Sequence, residues 1–386
     1  MKKLTTLLVM LLFTAGMAMG QNTANTSQSG NGNDSTIDQV GAQNQGDTEQ
    51  DGNGNDASLV QLESSNDGGI EQIGNDNNSE MSQDGISNVG ISVQGIDYPN
   101  ANRNVSSLEQ TGNNNRGTSF QFYGVENESE VIQNGNKNLA SVIQGIILAG
   151  INLFDVVNRN DAVITQNTSN SVARIIQYNV NENVATVTQD GGNFNYGQIS
   201  QEGGNFNNGQ IYQGYLFNSQ EASPSVANDN EGYIDQVGDQ NSATVMQLGN
   251  NNLFNLVQTG TGNTVGEEGA VPSDYNWFKQ RGDRNEFVGV NQGSNGLSLA
   301  LFSAAEQNNG ATLDFDSEGI TGYYGSFQRG NDNSIGLRQG NNDVGQIQQL
   351  GNSNTSLLYQ VGAESHSATI LQDGNSNTAS VSQTSN

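Results

Sequence analysis

Small and apolar residues in this chain alternate with polar ones over short runs, and the runs recur about every eleven residues. In Gln236-Val-Gly238-Asp-Gln-Asn241-Ser-Ala243-Thr-Val245-Met-Gln247, every second position from Asn241 onward reads Asn, small, apolar, Gln. Gln372-Asp-Gly374-Asn-Ser-Asn377-Thr-Ala379-Ser-Val381-Ser-Gln383 keeps the same order. A period of two puts all four kept residues on one face of a β-strand. The Gly-x-x-Asn stretch between runs is turn chemistry, because Gly and Asn tolerate positive φ. Each unit therefore predicts a strand of about six residues followed by a tight turn.

The phase of the repeat is carried by Gln. Gln28, Gln39, Gln50, Gln61, Gln72, Gln83 and Gln94 are each 11 apart, as are Gln236, Gln247 and Gln258. Fourteen consecutive intervals are 11 and six are 12, and 27 of the 37 Gln fall in the series. Three intervals, Gln144 to Gln166, Gln213 to Gln236 and Gln258 to Gln280, are 22 or 23 and read as one Gln missing. Low complexity without structure does not hold such a phase over the length of a chain. Two units close one rung of about 22 residues, and stacked rungs give an all-β fold, a β-solenoid. Gln28 to Gln383 predicts about 16 rungs and a rod of about 75 Å.

The face turned inward predicts a ladder of amides. Its Gln members are Gln28, Gln39, Gln50, Gln61, Gln72, Gln83, Gln110, Gln144, Gln236, Gln247, Gln258, Gln328, Gln339, Gln360, Gln372 and Gln383. Its Asn members are Asn33, Asn44, Asn55, Asn77, Asn115, Asn138, Asn241, Asn252, Asn333, Asn354 and Asn377. Stacked on their equivalents one rung away, such amides bond to each other and satisfy polar groups that are costly to bury alone. Ala243 with Val245, and Ala140 with Val142, fill the rest of that face. The turn glycines are Gly30, Gly41, Gly52, Gly74, Gly85, Gly112, Gly135, Gly238, Gly249, Gly330, Gly351 and Gly374.

The pattern weakens near 95–109, 214–235, 265–278 and 293–327, and all three prolines, Pro99, Pro224 and Pro272, lie in these stretches. Proline cannot donate to a ladder, so these read as insertions bulging from single rungs. Before the repeat, Lys2 and Lys3, the apolar run Leu4 to Phe13 and the small-x-small site Ala18-Met19-Gly20 form a secretory signal over 1–20, too short to span a bilayer. Residues 21–27 are a short N-terminal segment and 28–386 the repeat solenoid.

Composition changes the picture in one respect. Leu, Ile, Val and Phe make up only about 22% of the chain, near the level at which chains stay disordered, while Asn numbers 59, Gln 37 and Gly 49. The repeat turns that apparent disorder signal into a thin core assisted by amide ladders. A net charge of −28 opposes binding to nucleic acid and to anionic membrane surfaces. With no Cys there is no disulfide and no thiolate metal site.

The unit Gln-x-Gly-x-x-Asn-x-Ala-x-x-x-Gln resembles the curlin repeat of curli fibre subunits, over about Gln28 to Gln383. The resemblance implies a secreted functional amyloid of Gram-negative bacteria. It implies export through a dedicated outer-membrane pore with accessory proteins, and a homo-polymer that also takes up other curlin-like subunits in a cell-surface fibre and biofilm matrix. The chain is far longer than the usual five rungs of that family and carries large insertions.

Sharper motifs dissolve into the repeat. Arg281-Gly282-Asp283 is a copy of the repeat turn. Gly-Asn-Asp turns, as at Gly74-Asn75-Asp76, lack the nine-residue period and fixed Asp of the calcium β-roll. His366, the single histidine, has no nucleophile or carboxylate tied to it by spacing. No catalytic residue, metal site or cofactor is expected. Tyr323, Tyr324, Trp277 and Phe278 fall in the loose insertions, as loop packing or a partner-contacting patch. The reading is a structural subunit rather than an enzyme; the alternative is a monomeric β-solenoid adhesin or binding module, which needs a cap at each end.

Overall fold

Strand Asp56–Ser64 shows how alternation becomes structure: Ala57, Leu59 and Gln61 are buried while Asp56, Ser58 and Val60 turn outward. Repeated along the chain, this alternation gives two facing sheets. A computed structural model describes residues 21–95, 102–122, 124–145, 158–214, 228–248, 250–261, 263–265, 278–281, 286–294, 297–298, 327–329, 331–339, 344–361 and 366–384. Among these there are 29 strands and no helix. The chain steps from one sheet to the other and back, and each strand pairs in parallel with the strand one turn later, so the fold is a β-solenoid.

The first sheet has 14 strands, from Thr23–Asn31 to Thr378–Thr384. The second has 15 and begins at Asp34–Gln39. Two of its layers are each split between two short strands, Thr264–Val265 with Phe278–Arg281, and Leu297–Ser298 with Phe327–Arg329. Among the described residues the first sheet therefore stacks fourteen layers, where sixteen rungs are expected, over roughly 62 Å at the ~4.8 Å spacing of paired strands. The excess came from the long Gln intervals. Gln166 lies on Gln133, and Gln236 on Gln201, so these strands are adjacent layers of the stack. Successive layers are there 33 or 35 residues apart instead of 22.

The weak stretches of the pattern contain more regular structure than the sequence suggests. Val105–Thr111, Glu231–Val237 and Phe278–Arg281 are ordinary strands in register. Around 265–278 the break falls inside a strand: Val265 pairs with Ala243 and Phe278 with Val245, so the second sheet resumes one position further along. The leader, the three prolines, Trp277, Tyr323, Tyr324, Gly282, Asp283, Gly249 and Gly330 lie outside the described residues.

The core is fitted by size. In the early layers the first sheet presents Gly46, Gly68, Gly90 and Gly117, against Leu59, Met81 and Leu108 from the second. A Cβ on Gly117 would lie 2.3 Å from Leu108 Cδ1. Hydroxyls pair across the gap in the same region: Ser79 Oγ to Ser92 Oγ at 2.8 Å, and Ser119 Oγ to Ser129 Oγ at 2.9 Å. From strand Leu139–Gln144 onward Ala140, Val142, Ala162, Ile164, Ile175 and Ile199 replace them, and later Phe254 and Leu256, all fully buried.

The turns use two positive-φ residues. One is the repeat glycine, as at Gly30 (φ 107°) and Gly52 (φ 131°); these stack so closely that a Cβ on Gly30 would meet the Gly52 carbonyl oxygen. The other is the residue before the Asn, not the Asn itself: Gln43, Asp76, Arg103, Glu126, Lys137 and Phe194 all have φ near 60°. The Asn closes the turn instead. Asn66 Nδ2 donates to the Leu62 oxygen at 2.6 Å and to the Gly85 oxygen in the next layer at 2.8 Å. That tie holds a left-handed residue of almost any type in place.

Candidate assembly ladders

Two Gln columns run up the core, one per sheet. In the first, each amide from Gln28 through Gln50, Gln72, Gln94, Gln121, Gln144, Gln177, Gln201 and Gln236 donates Nε2–H to Oε1 of the next, ending on Gln258, at 2.7–3.0 Å. In the second, Gln39, Gln61, Gln83, Gln110, Gln133, Gln166, Gln189 and Gln213 do the same, ending on Gln247. Further along, Gln328 donates to Gln349 and Gln349 to Gln372, and Gln339 to Gln360 and Gln360 to Gln383. Every donor points toward the C-terminal side of the stack, so the amide dipoles align and reinforce one another.

The second amide proton is used as well. Gln72 donates to the Asp56 carbonyl at 2.8 Å and Gln83 to the Asp67 carbonyl at 3.0 Å, which ties the end of one strand to the start of the strand facing it. A Gln at this position thus bonds along the axis and across the core.

The Asn columns are built differently. The backbone N–H of each Asn donates to Oδ1 of the Asn one layer before it. Asn44, Asn66, Asn88, Asn115 and Asn138 form one run above Asn22. Asn55, Asn77, Asn104, Asn127, Asn160, Asn183, Asn207, Asn241 and Asn263 form another above Asn33. Asn252 rests on Asn230, and Asn354 and Asn377 continue from Asn333. Ser171 stands in one column and keeps it unbroken: its N–H donates to Asn138 Oδ1, and its Oγ accepts from Asn195 N–H at 3.2 Å.

One member of the counted series is displaced. In strand Glu286–Ser294 the residue in register with Gln258 and Gln339 is Asn291, and Gln292 pairs with Thr259.

Two surface columns were missed by the pattern. The Asn after the turn glycine stacks on its equivalents: Asn31 N–H donates to Asn53 Oδ1, Asn53 to Asn75 and Asn75 to Asn102 at 3.0–3.1 Å. The recurring Gly-Asn pair was the available signal. At the left-handed position Arg103, Glu126, Arg159 and Glu182 alternate in sign over four successive layers, with N···O distances of 2.8 and 3.1 Å. Their spacings of 23 and 33 residues hide this ladder in the sequence.

The outer faces carry the acidic load. Glu128 and Asp161 stand in register on adjacent strands. Burial, then the charges of Glu128 and Glu130, hold the Asp161 carboxyl above the ordinary aspartate range. Burial, then Glu202, does the same to Asp235, against a lowering hydrogen bond from Ser200. Among the described residues no group of three His, Cys, Asp or Glu side chains is placed to hold a metal, and no helix is long and apolar enough to cross a membrane. His366 is half-buried just before strand Ser367–Asp373.

No curated protein matches the chain. Residues 227–260 match the family model of the curlin associated repeat, which belongs to a structural, non-enzymatic family. The matched stretch holds strands Glu231–Val237, Ser242–Leu248 and Leu253–Thr261, with Gln236, Gln247 and Gln258 at their ladder positions. Three successive units of the solenoid are thus similar to the curlin repeat, which supports the curlin resemblance over that stretch.

Proposed function

We propose that the chain is a secreted structural subunit of an extracellular curli-like amyloid fibre, and that copies add to one another by continuing the Gln and Asn ladders. The supporting observation is that each layer hands the next the same set of donors and acceptors, all Gln amides pointing one way. A second copy offers the same set, so an edge such as strand Thr23–Asn31, which has one neighbour among the described strands, is a template for it. On this reading export runs through a curli-type outer-membrane pore with accessory proteins, the partners are further copies and other curlin-like subunits, and the fibre serves adhesion and biofilm matrix. The acidic outer faces keep separate copies apart until edges meet.

The test is assembly of the purified chain without its first twenty residues. Thioflavin-positive fibres that form after a lag, with the lag shortened by preformed seeds, are expected. A chain that stays monomeric and β-folded for days, seeded or not, overturns the reading and leaves a solenoid adhesin.

A further inference from the structure

Four Asn-Gly pairs lie within the described residues: Asn31-Gly32, Asn53-Gly54, Asn134-Gly135 and Asn208-Gly209. Asn followed by Gly is the pair in which the next backbone nitrogen reaches the side-chain carbonyl carbon most easily, because Gly has no Cβ in the way. The nitrogen must be free to attack, and the stack withholds it at three of the four. Gly54 N–H donates to the Asn31 carbonyl at 3.0 Å, and Gly135 N–H to the Thr111 carbonyl at 2.9 Å. Gly209 lies within strand Asn208–Gly214, which is paired on both sides. Gly32 N–H has no acceptor among the described residues, since the carbonyl it needs would belong to a layer before Thr23–Asn31.

The side chains differ in the same sense. Asn53 is held from both neighbours: Oδ1 accepts from Asn31 N–H and Nδ2–H at 3.0 and 3.2 Å, and Nδ2 donates to Asn75 Oδ1 at 3.0 Å. Asn134 Nδ2 donates to Asn167 Oδ1 at 2.8 Å. Asn31 is held from one side only, through donors. Gly32 is exposed, with φ of 70° and open space where a Cβ would be.

We infer that Asn31-Gly32 is a spontaneous modification site, at which Asn31 deamidates while layer stacking spares the other three pairs. The Gly32 nitrogen loses its proton and bonds to Asn31 Cγ, the Cγ–Nδ2 bond breaks, and ammonia carries that proton away. Water then opens the succinimide at either carbonyl to aspartate or isoaspartate. Either product sets a carboxylate where Nδ2 donated to Asn53 Oδ1. Isoaspartate also adds a methylene to the main chain and breaks the Asn31–Asn53 register. In a fibre, and here the inference rests on the proposed function, a copy stacked on this edge supplies the missing acceptor. Unassembled chains then age at the edge that assembled chains cover.

The experiment is peptide mapping by mass spectrometry, with isoaspartyl methyltransferase labelling, of the soluble folded chain held in mildly alkaline buffer. Asn31 is expected to convert about fivefold faster than Asn53 or Asn134, the factor set by one net hydrogen bond that must first open. In denaturant the rates are expected to converge, because the sequence pair is the same. Equal rates in the folded chain, or Asn31 the slower, overturn the site. Fibres mapped in parallel are expected to lose most Asn31 conversion. An unchanged rate in fibres overturns the covering of this edge and leaves the site standing, so the two readings fail separately.

Discussion

Replacing Gln166 with Ala tests whether the core amides hold the layers together or merely tolerate burial. Gln166 is fully buried. Its Oε1 accepts from Gln133 at 2.9 Å, and its Nε2 donates to Gln189 at 2.8 Å and to the Leu139 carbonyl at 3.3 Å. Truncation removes three hydrogen bonds and leaves the Gln189 oxygen and one Gln133 proton buried without partners. At about 1–3 kcal/mol for each of the two buried groups left without a partner, the loss comes to roughly 2–6 kcal/mol. The missing side-chain volume adds to it. Guanidinium melts of the soluble chain, read by circular dichroism at one low protein concentration so that assembly does not contribute, give the difference. Glu109, exposed on the outer face of strand Val105–Thr111, is the control, and its change to Ala is expected within about 0.5 kcal/mol. If Gln166→Ala costs no more than the control, the ladder does not carry stability and the reasoning built on it fails.

Three further outcomes follow from single side chains. Gly117→Ala drives a Cβ against Leu108 and is expected to cost about 1–3 kcal/mol; pairing it with Leu108→Val should return part of the loss, whereas strict additivity in a double-mutant cycle would show that the two do not touch. Asp161 is held above its unfolded value, so its ionised form opposes folding. That contribution to stability is fully present below the ordinary aspartate pKa and is lost as pH rises through the folded one. Asp161→Asn is therefore expected to stabilise the chain at neutral pH and to flatten this part of the pH profile; melts that show an unchanged profile would contradict the assignment. Glu126→Gln, at the centre of the exposed ion ladder, is expected to cost at most about 1 kcal/mol. The difference should vanish in high salt, and a larger, salt-independent loss in melts would mean that the ladder does more than surface pairing.

Much of the fold was legible because a period of two inside a period of eleven leaves few alternatives. Strand Asp56–Ser64 buries the residues that its alternation marks, and the inward amides of Gln61 and Gln83 meet as neighbours one layer apart. The layer count was not legible, since a Gln interval of 22 fits either an extra layer without its Gln or a longer step between adjacent layers; only pairing distinguishes them, and Gln166 on Gln133 decides for the longer step. The ion ladder was hidden for the same reason, because Arg159 and Glu126 become neighbours only once residues 146–157 are discounted. The left-handed position was misplaced on the Asn because intrinsic tolerance for positive φ is a property of one residue. What holds Gln43 or Ser65 there is the amide bridge of the following Asn, a property of two layers. Alternation also fails at Val93 and Met246, which face outward by register and are nonetheless nearly fully buried.

The claim that copies continue one another's ladders is tested most directly by hydrogen exchange on the same chain before and after assembly. In the soluble chain the amides of strand Thr23–Asn31, exposed along its whole length, should exchange far faster than those of Val184–Asn193 or Tyr196–Asn205 in the middle of the stack. In fibres Thr23–Asn31 should become as protected as the middle strands, which change little. Fibres in which that strand still exchanges freely would mean that copies associate through their outer faces, and the account of edge-to-edge growth would be wrong.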